Sequence, residues 1–353
     1  MTFSVRDEIG RIRFRGADET AESGTSPAGA PVHCELGPGS GLSHADIEQI
    51  VALAGLAGRL PDPARQSAMA FVEHSGRKYK VLAYASAAAA HQRFTLLGRT
   101  GDLFAACLGR VENCLVHEFV EGSGEVGNSR LGDDIGSFLA DLAGFAVEPM
   151  HEPDFEAWSR TLAEKGIFLR RTIGTLRRYI AASLVKPVRW DLEYLDAVPK
   201  NFVYAGKRRL ICVDSKHLYP GPQGVSLAKL YSNIGEYCRR EDYMAIRNVY
   251  QNRVRDNRLD DPAYFEFLLL FYSLFFLVAN AGQFSWKMNV ENGMNRIRRR
   301  TVLGIIGTSR SIRLLEGLWW SAAFDWFWVS KLPRRALRYA LRRAGGGKGI
   351  KKR

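Results

Sequence analysis

The stretch from Tyr194 to Asp214 limits what this chain can fold into more tightly than any other. It opens as a polar loop, Tyr194-Leu195-Asp196-Ala197-Val198-Pro199-Lys200-Asn201, and runs on into the apolar Phe202-Val203-Tyr204. Ala205-Gly206-Lys207-Arg208 follows, then a second apolar run, Leu210-Ile211-Cys212-Val213, that ends on Asp214. Two short runs rich in β-branched and aromatic residues, parted by a Gly-containing turn, predict a β-hairpin. A hairpin brings its ends together, so Asp196 and Asn201 are expected beside Asp214. Two carboxylates and a carboxamide are oxygen donors of the kind a hard divalent cation such as magnesium takes. The competing reading is an ordinary surface hairpin with polar ends.

The rest of the composition sets outer bounds. The 353 residues leave room for a two-lobed fold or two modest domains, and a 46% hydrophobic content can fill a sizeable core. Residues 1–16 mix charges with apolar side chains and lack the apolar segment of a secretory signal. The five cysteines (Cys34, Cys107, Cys114, Cys212, Cys238) are odd in number and have no paired metal spacing. They read as reduced thiols of a cytoplasmic protein. A net charge of +13 calls for an acidic partner: phosphate groups, nucleic acid or an anionic membrane.

Taken in order, residues 1–44 read as a loose extension, with Gly37-Pro38-Gly39-Ser40-Gly41 as a flexible joint that lacks the Lys-Ser/Thr ending of a phosphate loop. Ser43, with Asp46 three residues on, predicts a capped helix. Two strand-like runs, 68–72 and 79–84, flank His74-Ser75-Gly76-Arg77 as a second hairpin, and a helix is expected over 86–97. Residues 111–122 read as a strand that ends in a polar segment and a glycine. The chain then turns helical, with apolar faces at Ile135, Phe138, Leu139 and Leu142 and at Ile173, Leu176, Ile180 and Leu184. Only a short Pro- and Gly-bearing loop separates Asp214 from a helix beginning near Ser226. The apolar run 267–281 falls short of the ~20 residues of a membrane span and reads as a buried helix. Residues 314–329 are apolar and tryptophan-rich. Residues 331–353 carry ten basic residues and no acid.

The polar loop and its following hairpin resemble the catalytic core of the protein-kinase-like phosphotransferases. That superfamily has Asp-x-x-x-x-Asn in its catalytic loop and a metal-binding Asp after the next hairpin. Residues 117–122, His-Glu-Phe-Val-Glu-Gly, look like the hinge of the aminoglycoside-phosphotransferase branch. The run after Asp214, through Ser226-Leu227-Ala228-Lys229-Leu230-Tyr231, is similar to the bacterial lipopolysaccharide kinases. The resemblance spans residues 68–235 and implies an α+β, two-lobed kinase-like fold. It divides the chain into a small lobe over 45–120, a helical lobe over 121–330 and a basic tail over 331–353. It implies ATP and Mg2+ as cofactors. Asp196 would receive the acceptor hydroxyl proton, Asn201 and Asp214 would hold the metal, and the backbone of Glu118, Phe119 and Val120 would bind adenine. The Lys of the third small-lobe strand is assigned to Lys80, although strict register puts Ala83 or Tyr84 there. The following helix offers His91 and Gln92 where the superfamily has a Glu. Tyr194 replaces the usual His two residues before the catalytic Asp, and Ser215-Lys216-His217 replaces the usual residues after the metal Asp.

These readings imply a phosphotransferase acting on a hydroxyl of a sugar, glycolipid or other small molecule. A catalytically degraded pseudokinase that binds or scaffolds is one alternative. A basic membrane- or RNA-associated protein is another. The tail with its neighbouring tryptophans suits the anionic inner face of the cytoplasmic membrane. Nucleic acid is less favoured, because the aromatics do not alternate with the basic residues.

Overall fold

The computed structural model describes residues 34–58, 67–122, 130–145, 147, 154–183, 189–205, 209–235, 238–281 and 288–329. The expectations for residues 1–33, for the turn 206–208 and for the basic tail lie outside the described residues. Contacts divide the chain into two compact units. One comprises the described residues of 34–147 and 189–272, the other those of 154–183 and 273–329.

The first unit begins with strand β1 (Cys34–Leu36) and helix α1 (His44–Ala54). This corrects the expectation of a loose extension to residue 44. β1 pairs antiparallel with β4 (Cys107–Val111), and the Gly37 amide donates to the Leu108 carbonyl at 2.8 Å. A Cβ at Gly37 would sit 2.0 Å from the Cys107 carbonyl oxygen, so the glycine is a point of close approach to β4 and no flexible joint. Ser43 and Asp46 form the expected capping box.

Strands β2 (Ser67–His74) and β3 (Arg77–Tyr84) form the expected hairpin. Ser75 and Gly76 are both at positive φ, 51° and 73°, as a tight two-residue hairpin turn requires. With β5 (Cys114–Glu118) they complete a five-stranded antiparallel sheet of order β1-β4-β5-β3-β2. Side chains alternate across a strand. Tyr79, Val81 and Ala83 of β3 join Val111, Cys114 and Val116 in a core sealed by Ile47, Ile50 and Val51 of α1. Lys80, Leu82 and Tyr84 therefore face the other way. Helix α2 (Ala87–Arg99), capped by Ser86, packs against β3, β4 and β5.

Helix α3 (Leu131–Leu142) follows in the same unit. β6 (Trp190–Tyr194) pairs with β9 (Leu218–Pro222), and between them lies the hairpin of β7 (Phe202–Ala205) and β8 (Arg209–Cys212). Helices α6 (Val225–Ser232) and α7 (Arg240–Arg253) and the start of α8 (Pro262–Ala281) follow. α3 and α7 pack tightly: a Cβ on Gly136 would lie 2.7 Å from the Ile246 carbonyl. The second unit holds α4 (Phe155–Glu164), α5 (Arg170–Ser183), the end of α8, α9 (Met288–Ile305) and α10 (Arg310–Val329). α8 starts five residues before the apolar run does, because Asp261 receives the Ala263 amide and Pro262 suits a first helical position. It is the one helix among the described residues long and apolar enough to cross a membrane, and 56% of that segment is buried.

Glu193 is buried at the start of α6. Its carboxylate accepts the Gly224 amide at 2.6 Å, the Ser226 amide at 3.0 Å and the Ser226 hydroxyl at 2.5 Å. It thereby caps the helix from another strand. Burial raises its pKa from 4.5 to about 7, and these hydrogen bonds offset only part of that effect. The folded chain thus holds this proton more tightly than the unfolded chain does. The stability so gained is full below pH 4.5 and is lost as pH rises through about 7. Glu193→Gln should accordingly lose less stability than the wild type between pH 5 and 8, by on the order of 2–3 kcal/mol. Guanidinium melts of both proteins at the two pH values test this, and parallel pH dependences would contradict it.

Candidate active site

The expected hairpin forms, and its pairing runs on to Asn201 and Val213. Val198 and Asn201 close a turn through the Asn201 amide (3.0 Å), and the Val213 amide donates to the Asn201 carbonyl at 2.9 Å. Asp214 is thereby set next to Asn201. The Asn201 side-chain nitrogen donates to the Asp196 carbonyl oxygen at 2.8 Å and to its carboxylate at 2.7 Å. With the amide nitrogen committed to Asp196, its oxygen Oδ1 is left to meet a cation or a donor.

An aromatic cluster holds the loop from below. Tyr194 meets Phe104, Phe138 and Phe202 edge-on at 5.6, 5.9 and 6.0 Å, and Phe138 meets Phe104 and Phe202 at 5.4 and 5.0 Å. Tyr194 is fully buried, so where the resemblance leads one to expect a His this chain has an aromatic anchor. The segment after Phe104 ties the large sheet to the hairpin, with the Ala105 amide donating to the Cys212 carbonyl at 2.9 Å.

Lys80 reaches this site from β3. Its ammonium donates to the Val213 carbonyl at 2.7 Å, one residue from Asp214. Burial lowers its pKa, and the charge of Asp214 opposes that shift. Ala83 and Tyr84, which strict register had offered, are buried, Ala83 in the core beneath α1. The facing helix α2 carries no acid. Its buried Arg93 instead stacks its guanidinium 4.8 Å over the Tyr219 ring. Lys80 therefore has the Val213 carbonyl and the Asp214 charge as partners, not a helix carboxylate.

The Asp214 carboxylate accepts the Lys216 amide at 3.2 Å and lies 3.3 Å from the Lys216 ammonium. Lys229, on α6, places its ammonium 2.9 Å from the other Asp196 oxygen. Burial would raise the Asp196 pKa, but the Lys229 charge and the hydrogen bonds from Lys229 and Asn201 outweigh it, and the pKa falls. Burial lowers the His217 and His117 pKa values to about 4, so both rings are neutral near pH 7.

In the expected hinge, Phe119 meets Phe71 edge-on at 5.6 Å. The Glu118 amide is already committed to the Ala106 carbonyl at 2.9 Å. This takes the Glu118 amide out of the backbone amide and carbonyl groups expected to bind adenine.

The sequence reading missed Lys229. Its signal was a lysine inside the otherwise apolar Leu227-Ala228-Lys229-Leu230, where a charge is costly unless paired.

No protein-family model matches the chain, and no curated protein is similar to it in sequence. Its fold is nonetheless similar to solved structures. Choline kinase LicA from Streptococcus pneumoniae matches with a TM-score of 0.50 at 14% identity, over 75% of this chain and 100% of that one. LicA in complex with AMP matches with a TM-score of 0.50 at 12% identity, over 75% and 99%. A choline/ethanolamine kinase family protein from Mesorhizobium loti matches with a TM-score of 0.47 at 16% identity, over 76% and 97%. The chain has an α+β fold similar to that of choline kinase LicA.

The Asp196–Lys229 pair makes a prediction of its own. Both side chains are mostly buried, so removing the ammonium leaves a carboxylate desolvated beside Asn201. Lys229→Ala should cost about 3 kcal/mol of stability. Asp196→Ala in the same chain should recover part of that loss. Urea denaturation of the two single variants, the double variant and the wild type reads the coupling, and strictly additive losses would show that the pair does not interact.

Proposed function

We propose that this chain transfers the γ-phosphoryl group of ATP, with magnesium, to a hydroxyl group of a sugar, glycolipid or other small molecule. The observation that carries the reading is that four segments meet: Lys229 bonds Asp196, Asn201 of the same loop bonds Asp196, and Lys80 bonds Val213 beside Asp214, where the Val213 amide pairs with the Asn201 carbonyl. The donor set fits the metal. The Asn201 oxygen and the Asp214 carboxylate are hard oxygen ligands, few enough that nucleotide phosphates and water complete the shell. Magnesium bound there would neutralise charge on the phosphates. Lys216 neutralises Asp214 until then, and a divalent ion would have to displace its ammonium.

Each protein group has a task in this reading. Lys80 supplies a fixed positive charge beside Asp214 for the phosphates. Asp196 has both oxygens held, one by Lys229 and one by Asn201, so the carboxylate keeps one orientation. Each oxygen retains a lone pair for the acceptor hydroxyl. As the hydroxyl oxygen bonds to the γ-phosphorus, the bond from that phosphorus to the bridging oxygen breaks. The hydroxyl proton passes to Asp196 and ADP leaves. The chemistry asked of the protein is positioning and charge stabilisation. A small acceptor suits the short segment between Asp214 and α6, where protein kinases carry a longer peptide-binding loop.

A second reading rests on α2. The helix bears Arg93 and no carboxylate to pair with Lys80, which favours a nucleotide-binding scaffold without turnover. Two variants separate the readings. Asp214→Ala should remove magnesium-dependent nucleotide binding. Asp196→Asn should keep binding within a few-fold and slow transfer about a hundredfold or more. Nucleotide titration and ADP release are measured with sugar, glycolipid and amino-alcohol acceptors. Binding without turnover on any acceptor would favour the scaffold. Unchanged Mg-ATP affinity in Asp214→Ala would remove the metal assignment.

A further inference from the structure

We propose that the outward face of α10 is a docking surface for an anionic lipid membrane. Leu314, Leu315 and Leu318 are 65%, 55% and 58% exposed, and Trp319 is 46% exposed. Side chains four apart on a helix stand over one another, so these four form one apolar stripe along successive turns. Isolated apolar side chains on a surface are ordinary, but a continuous stripe of large ones marks an interaction site.

What surrounds the stripe selects the partner. The acid within this segment, Glu316, is turned inward and is fully buried. It bonds the Arg299 guanidinium at 2.6 Å and the Leu169 amide at 2.8 Å. The outward face of 310–319 therefore carries no negative charge. Arg310 and Arg313 are exposed on the same helix. Arg170 and Arg171, exposed at the start of α5, directly follow the Leu169 that Glu316 holds. The Trp319 indole nitrogen donates to the Gly166 carbonyl at 3.1 Å, which fixes the ring with its polar edge satisfied. An indole so placed suits a boundary that is wet on one side and apolar on the other. Past α10 the sequence continues with ten basic residues and no acid over 331–353.

An apolar stripe rimmed by arginines matches lipid acyl chains beneath anionic headgroups. A second copy of the same face would bring arginine against arginine. Nucleic acid would satisfy the arginines and leave three leucines without apolar cover. This inference does not depend on the phosphotransfer reading, and its test needs no activity.

The test uses the full chain in sedimentation with phosphatidylcholine vesicles that contain or lack phosphatidylglycerol. The wild type should partition to the anionic vesicles and weakly to the neutral ones, with a blue shift of tryptophan emission. Salt should weaken the binding without abolishing it. Leu314→Asp combined with Leu318→Asp should lower partitioning about tenfold or more, since both apolar contacts are lost and two like charges are added. Both sites are exposed, and a circular-dichroism melt checks that the variant folds. A folded variant that binds as the wild type does would overturn the proposal and leave binding to the basic tail alone. So would a wild type that ignores anionic vesicles. Light scattering that shows a wild-type dimer, lost in the variant, would also overturn it and assign the stripe to a second copy.

Discussion

The candidate site depends on the burial of Tyr194 among Phe104, Phe138 and Phe202. Each ring comes from a different part of the chain: the segment before β4, the helix α3, the end of β6 and the start of β7. Their edge-to-face contacts add directional preference to a large burial of apolar area. Asp196 follows Tyr194 by two residues, and Asn201 immediately precedes Phe202. The polar loop is thus tethered at both ends to one packed cluster. That gives this largely buried loop the fixed geometry that positioning chemistry needs.

The second requirement is charge balance where water is scarce. Asp196 lies between Lys229 and Asn201, Asp214 beside Lys216, and Glu193 among three donors at the start of α6. These arrangements are linked. Glu193 caps the helix that presents Lys229, and Lys229 holds Asp196. The pairing is not a gain in stability over an apolar core, since burying ions is costly even when they are matched. What it fixes is the direction in which the Asp196 oxygens point.

Legibility in the sequence followed separation along the chain. The hairpin, the Asp196–Asn201 turn and the capping box of α1 are local, and each could be read because its residues and turn chemistry stand side by side. Lys80 was legible as a strand lysine, while its approach to Val213 was not, because that contact spans 133 residues. Lys229 stood out locally as a lysine in an apolar run, but its partner Asp196, 33 residues away, did not. β1 was misread because its strand is only three residues long and is followed by glycines and a proline, a composition that also suits a linker. The inward turn of Glu316 had no local signal at all, since its partners Arg299 and Leu169 lie far off in the chain.

The absence of an acid on α2 has a consequence for control. Protein kinases are throttled by swinging the corresponding helix, which makes or breaks the Lys–Glu pair that readies the phosphates. Here the lysine is held by the backbone of Val213, and the helix carries an arginine laid on Tyr219. Among the described residues, displacing such a helix would break no ion pair with Lys80. The lysine is thus positioned by the same hairpin that carries Asp214, and its place is set by that hairpin rather than by where the helix stands.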